Sequence, residues 1–242
     1  VKVHSIDHKG KYFTSRGPLN VKPSRHGMPV LASAGQSPRG IDSAARNADV
    51  VFAIQWNPAA MRPHRERLHE RARAHGREAP PLLWGVKVFV APTEVEARAK
   101  QKTLLDAVPE AAARRMFHLA SGVDVTGVPW DAPVRAVKAD VGSHGLLAAL
   151  TENVGPDVTV GEAATMSACG LAPHIVGTPC QVADRLEELF EGAGGDGFVF
   201  MTDYSPPEAA SVVDLLIPEL QRRGRFRQDY SGMTFRHHLQ EY

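Results

Sequence analysis

Four apolar runs, each closing on a glycine-rich or polar turn, punctuate the chain at residues 29–34, 49–54, 82–90 and 196–201. They are close to continuously apolar rather than alternating, the pattern of strands buried on both faces of a parallel sheet. Between them the period becomes helical. Ser37 followed by Pro38 is a helix start, with serine as cap and proline at the first helical position, and predicts a short helix over 41–47. Asn57-Pro58 opens a long helix to about His75, stopped by Gly76. Thr93-Glu94-Val95-Glu96 opens another, with acids in its first turn and an Ala-rich continuation to about Leu119. Gly177-Thr178-Pro179-Cys180-Gln181 reads as a capping box, followed by an apolar stripe of Val182, Leu186, Leu189 and Phe190. Gly192 to Gly195 ends that helix. Pro206-Pro207 starts the last one, with Val212, Val213, Leu216, Ile217 and Leu220 on its inner side.

The remaining stretches are less regular. Residues 1–28 are polar and turn-rich, with a short strand predicted at Tyr12-Phe13-Thr14 and a turn at Arg16-Gly17-Pro18-Leu19. Residues 121–176 read as an insertion between units, holding one predicted helix at 159–168, so that 1–242 is expected to be a single domain. Alternating strands and helices place the chain in the α/β class with a parallel sheet. A complete eight-unit α/β barrel takes about 250 residues. Only four strand–helix units are legible here, and four make an open sheet with two edges in need of a partner.

Composition narrows the functional classes. Apolar residues at 43% and charged residues at 23% are ordinary for a globular domain. No apolar run approaches the roughly 20 residues that cross a bilayer, and no basic-then-apolar leader opens the chain, so a cytoplasmic protein without a membrane partner is expected. Two cysteines, Cys169 and Cys180, do not make a disulfide framework. The net charge of +1 is uneven: residues 1–77 hold 14 Lys/Arg against 5 Asp/Glu, and the rest 14 against 22. Much of that basic excess is Arg62, Arg65, Arg67, Arg71, Arg73 and Arg77, expected on the wet face of one helix. With no interleaved aromatics, a nucleic-acid partner is not expected.

Among candidate chemical groups, the turn Ala34-Gly35-Gln36-Ser37-Pro38-Arg39-Gly40 stands out. It follows a parallel strand, at the end where α/β barrels place their sites. Gly35 lets backbone approach a ligand, and the Ser37 hydroxyl and neighbouring amides at a helix N-terminus suit a phosphate, with Arg39 adding charge. A plain capped turn is the alternative. His64 and His69 are five apart and diverge on a helix, so no metal is expected there. His144 and His174 either line a cleft or pack as ordinary polar residues, and His237-His238 belongs to a surface or interface tail. Cys169 is a nucleophile only with a nearby histidine, and otherwise a buried thiol. Trp84 is expected in the core and Trp56 at the sheet's mouth, with Asp203 and Tyr204 after the last strand either reaching the site or simply forming a loop.

Several segments, in order, resemble the flavin-dependent monooxygenases related to nitrilotriacetate monooxygenase component A, in the bacterial luciferase-like superfamily. They are Arg16-Gly17-Pro18-Leu19-Asn20-Val21, the Ala34–Gly40 turn, Ala48-Asp49-Val50-Val51-Phe52, Gly177-Thr178-Pro179 with Gln181-Val182-Ala183-Asp184, Asp196-Gly197-Phe198, and Val213-Asp214-Leu215 through Pro218–Gly224. Phe226-Arg227, Tyr230 and Gly232-Met233-Thr234 continue the likeness into the tail. The resemblance implies a TIM-like barrel that uses reduced FMN from a separate flavin reductase, with O₂, to oxygenate a small organic substrate. It also implies that Gly35, Gln36 and Ser37 hold the FMN phosphate; it names no catalytic side chain. Family members extend further at the N-terminus, so the chain, which begins at Val1 in mid-motif, is expected to be the C-terminal half of a (β/α)8 barrel. That leaves three origins: a fragment, a naturally shortened homologue, or one part of a pair with a companion N-terminal half, the open edges also favouring a homo-oligomer. The alternative function is a non-catalytic subunit that completes or regulates another barrel.

Overall fold

The computed structural model describes residues 3–22, 24, 27–137 and 155–239. The insertion's middle and His144 lie outside the described residues. The chain divides into two compact units, Val1–Val30 with Gly232–Tyr242, and Leu31–Ser231.

In the smaller unit β1 (His8–Lys9) pairs antiparallel with β2 (Thr14–Ser15), His8 opposite Ser15. The amide of Gly10 closes the hairpin on the carbonyl of Phe13 at 2.8 Å. The strand expected at 12–14 is thus shifted toward Ser15, leaving Tyr12 and Phe13 exposed. A short helix, Phe235–His238, is capped by the Thr234 side chain, which accepts from the His237 amide.

The larger unit is built on a parallel sheet. Its strands are β3 (Ala32–Ser33), β4 (Val50–Ala53), β5 (Leu82–Val90), β6 (His174–Gly177) and β7 (Gly197–Phe200). β3 pairs β4, and β4 pairs the start of β5, with Val51 opposite Leu82. β7 pairs Leu83–Val86 of β5, and β6 pairs Lys87–Val90. Backbone parity gives the layout. The Pro81 carbonyl takes the Val51 amide and the Lys87 amide donates to Pro173, whereas Leu82 and Val86 carbonyls take Asp196 and Met201. Odd residues of β5 therefore bond along the edge of β4 and β6, and even residues along the edge of β7. The result is an arc, β3-β4-β5-β7, with β6 riding on the second half of β5.

β6 was not legible because its apolar run is only Ile175-Val176, between Pro173 and Gly177, too short to announce a strand. β3 is shorter than its apolar run: the Leu31 amide donates to the Asp49 carboxylate at 2.9 Å instead of to a strand carbonyl.

The helices follow their caps. α1 (Pro38–Asn47) starts at Ser37, α2 (Pro58–Ala74) at Asn57 and α3 (Glu94–Asp106) at Thr93 with a complete capping box. The helix expected to run from Thr93 to Leu119 is two helices. Pro109 has no N–H and drives Val108 out of helical geometry, so α3 ends and α4 (Glu110–Ser121) begins afresh. α5 (Val160–Ala168) and α6 (Pro179–Ala193) carry capping boxes at Thr159 and Thr178. The last helical run comprises α7 (Pro207–Ser211), a widened π turn at Val212–Leu216, and α8 (Ile217–Arg222). The widening follows from Pro218, which has no N–H to give the Asp214 carbonyl.

Residues Leu82, Trp84, Val86, Val88 and Val90 of β5 pack with Met61, Leu68, Val182, Leu186, Leu189, Val212 and Leu216 in one core between sheet and helices. Phe190 and Val213, expected on that face, are instead exposed at its rim. Around α4 and α5 a second, smaller core gathers Phe117, Val123, Val125, Val134, Val158 and Val160. Arg114 ties the 123–137 loop to α4, donating to the Val125 and Val128 carbonyls at 2.6 and 3.0 Å. Among the described residues no helix is long and apolar enough to cross a membrane.

Candidate functional site

The turn from β3 into α1 is closed by backbone against backbone. A Cβ on Gly35 would lie 2.8 Å from the Gly40 Cα, and a Cβ on Gly40 the same distance from the Gly35 Cα. The Ser37 side chain accepts from the Gly40 amide at 3.1 Å, leaving its own O–H to donate outward. Pro38 has no amide and Gly40 spends its own on Ser37, so Arg39 carries the first-turn amide left for a ligand. The Gln36 Oε1 accepts from Gln55 Nε2 at 3.2 Å, which ties the turn to the segment after β4 and leaves the Gln36 amide nitrogen free to donate. No acidic residue stands in the first turn of α1. The turn thus presents the Ser37 hydroxyl, the Gln36 side-chain amide and the Arg39 amide at a positive helix end, a donor set that fits a phosphate.

A second cluster lies on the face of β5 turned away from the helices. Gly85 sits there because a Cβ would come 2.7 Å from the Phe52 ring. Two residues on, Lys87 is fully buried at 2% exposure and its ammonium donates to Asp203. Glu208, from the first turn of α7, is also buried; its Oε2 accepts from the amides of Asp203, at 2.6 Å, and Tyr204, at 3.4 Å. His174 is directly opposite Lys87 in the β5–β6 register. Gln101 of α3 donates to its Nδ1 at 3.0 Å, and its ring tilts against Phe89 with centroids 5.3 Å apart. Burial, with Lys87 adding to it and Asp203 opposing, pulls His174 down to about 4, so it is neutral at ordinary pH. Burial, followed by Asp203, pushes the Cys169 thiol up, which makes it a packed thiol rather than a nucleophile.

The other sequence candidates separate from these two places. Trp84 is core, and its ring makes an edge contact at 5.8 Å with buried His64. Burial, then Arg67, lowers the pKa of His64. Trp56 lines an open cleft of about 1010 Å³ with Gln101, Trp130, Met166, His174 and Arg185. Arg62, Arg67, Arg71 and Arg73 are on the wet side of α2 as expected, while Arg77 turns back to the Ala45 and Ala48 carbonyls at 3.0 and 3.1 Å. Among the described residues no group of His, Cys, Asp and Glu is arranged to hold a metal ion. Lys87, Glu208, Gln55 and Gln101 were not singled out by the sequence; the one available signal was a lysine inside the apolar run Leu82–Val90.

A family model described as luciferase-like monooxygenase matches residues 3–197. The chain belongs to the luciferase-like monooxygenase family. It is 33% identical to N-acetyl-S-(2-succino)cysteine monooxygenase of Bacillus subtilis, a match that covers 98% of this chain and 56% of that protein. It is 35% identical to nitrilotriacetate monooxygenase component A of Aminobacter aminovorans, over 98% of this chain and 54% of the relative. Among solved structures, DmoA from Hyphomicrobium sulfonivorans superposes with a TM-score of 0.86 at 29% identity, covering 98% of this chain and 51% of that one. The chain therefore spans about half the length of the relatives it matches. The arc of parallel strands is accordingly part of a luciferase-like TIM barrel.

Acid is expected to destabilise this luciferase-like chain through its buried histidines. Unfolded, a histidine binds its proton near pH 6.5; folded, His174 does so only at about 4. The unfolded state thus binds more protons in that window, and stability is complete above pH 6.5 and lost as pH falls toward 4. His174 alone accounts for about 3 kcal/mol of that loss, and His64 acts in the same direction. Urea unfolding at pH 7.5 and pH 5 captures about 2 kcal/mol of it, the rest being lost nearer pH 4, and His174→Gln should flatten the difference.

Proposed function

We propose that this chain supplies the phosphate-holding C-terminal half of an FMN-dependent, two-component monooxygenase, in which a separate flavin reductase delivers reduced FMN and a small organic substrate is oxygenated. The observation that carries the reading is the backbone contact of Gly35 with Gly40, which closes the turn so that Ser37, Gln36 and Arg39 present donors together. The likeness to a relative named as component A of a monooxygenase agrees with a separate component for the reductase. When bound, reduced FMN supplies the electrons that activate O₂.

The chain's own residues do the holding. Gly35 and Gly40 permit the close turn, and the Ser37 hydroxyl, the Gln36 side-chain amide and the Arg39 backbone amide bind the phosphate. Gln55 donates to the Gln36 Oε1, which holds the side chain and leaves both N–H groups of Gln36 Nε2 to donate. The remaining strands of the barrel come from an N-terminal half, on the same polypeptide or a companion one, and cover the open edges of β3 and β7. In this reading 1–242 is one part of a single barrel domain, 121–176 is an insertion in it, the assembly is a homo-oligomer or a paired barrel, and the reaction takes place in the cytoplasm.

Titration of FMN fluorescence tests it. Ser37→Ala removes the outward O–H and the α1 cap, and a hydrogen bond to a charged group is worth about 1.5–3 kcal/mol. Affinity for FMN is expected to fall about tenfold or more, and an unchanged affinity would remove Ser37 from the phosphate site.

A further inference from the structure

Lys87 has no part in holding the phosphate, yet it is the one charge inside the nine-residue strand β5 and only 2% exposed. A buried ammonium–carboxylate pair gains little net stability over an apolar pair of the same volume. Stability is therefore a weak reason for a lysine here, and what the pair holds in place is a better one.

The pair holds the loop after β7. The ladder ends where the Met201 amide donates to the Val86 carbonyl at 2.8 Å. Beyond it Asp203 is pinned from the sheet by Lys87 and from α7 by Glu208, whose single oxygen Oε2 also takes the Tyr204 amide. Tyr204, held by its amide, is half-buried. Burial, then the carboxylates of Glu208 and Asp203, raise its pKa, so the phenol keeps its proton and is a donor.

The position of this loop gives the donor a ligand. All strands of the arc run parallel, so the turn after β3 and the loop after β7 leave the same end of the sheet, where α/β folds bind ligands. β4 and β5 lie between β3 and β7, which puts the two segments three strand spacings, at most about 14 Å, apart. FMN carries its phosphate and its ring at opposite ends of an extended ribityl chain and bridges a gap of that order. We propose that Lys87, acting through Asp203 together with Glu208, is a positioning residue that holds the Tyr204 hydroxyl as a hydrogen-bond donor to the far end of the flavin whose phosphate sits at Ser37. The inference rests on the FMN reading above.

The test compares the full chain with Tyr204→Phe and with the double variant Lys87→Met plus Asp203→Leu, which removes both charges and leaves none unpaired. FMN is the titrant, thermal unfolding reports stability, and hydrogen exchange reports the amides of residues 203 and 204. Tyr204→Phe should weaken FMN several-fold without changing the unfolding temperature. The double variant should keep an unfolding temperature within a few degrees of the parent, bind FMN about tenfold more weakly, and lose protection at 203 and 204. Parental affinity and protection in the double variant would make the pair purely structural and overturn the proposal. Should the double variant not fold, Tyr204→Phe decides, since it removes one oxygen only, and unchanged affinity there overturns the proposal as well. A Ser37→Ala loss with no Tyr204→Phe loss sinks this inference alone, whereas no FMN binding by the unaltered chain when joined to the N-terminal half of its barrel sinks the functional reading with it.

Discussion

Gly40→Ala is expected to lower FMN affinity by well over tenfold while leaving the rest of the barrel arc folded. The added Cβ would sit 2.8 Å from the Gly35 Cα, 2.9 Å from its carbonyl carbon and 3.1 Å from its oxygen. These are backbone atoms, so no side chain can swing aside and the turn itself must open. Overpacking of this kind costs about 1–3 kcal/mol. That opening also separates Ser37 from the Gly40 amide and dissolves the cap, so the donors no longer converge. Gly76 is the control. It has a φ of +67° and nothing within 4 Å of an added Cβ, so Gly76→Ala tests backbone strain at a helix end without crowding. Circular dichroism and FMN titration of both variants separate the two effects. Equal FMN affinity in Gly40→Ala and the parent would mean that the phosphate is held elsewhere.

The largest loss of stability is expected from Asp203→Ala. It leaves the ammonium of Lys87, 2% exposed, without its carboxylate. Breaking a buried pair by removing one partner costs about 3–5 kcal/mol, because an uncompensated charge stays in the interior. For a chain of this size that corresponds to a fall in unfolding temperature on the order of 10 °C. Lys87→Met is milder in principle, since the Asp203 side chain is 21% exposed and can turn toward water. A thermal melt of Asp203→Ala within 2–3 °C of the parent (about 1 kcal/mol) would show that Lys87 finds another partner or a path to solvent. The asymmetry between the two single variants is itself a check on which of the two charges is the buried one.

The turn that carries the first prediction was open to a reader of the sequence, and the pair that carries the second was not. Ser37, Asn57, Thr93, Thr159 and Thr178 cap the helices they were expected to start. Each cap involves a side chain and an amide three residues on, so the chemistry is complete within a tetrapeptide. Lys87 and Asp203 are separated by 116 positions, a distance that no local spacing rule spans; only the pairing of β7 beside β5 brings the two together. Gln36 and Gln55, 19 apart, meet for the same kind of reason: their strands are neighbours.

What the sequence determined by itself is the set of local decisions: where helices begin, where they stop, which runs are apolar enough to be strands, and the family those segments spell out in order. These depend on contacts within a few residues of one another, so they survive without a fold. What only the tertiary structure decided is everything that depends on neighbours distant in the chain. β6 exists because the second half of β5 offers it an edge, not because Ile175-Val176 is a convincing strand. Phe190 and Val213 are exposed because Leu189 and Val212, one residue earlier on the same helices, are the ones that the packing turns into the core. Lys87 is buried beside a carboxylate only because β7 and the loop after it carry Asp203 to β5. A charge inside an apolar strand is unfavourable as a local choice, and its partner is supplied by topology, which no window of sequence contains.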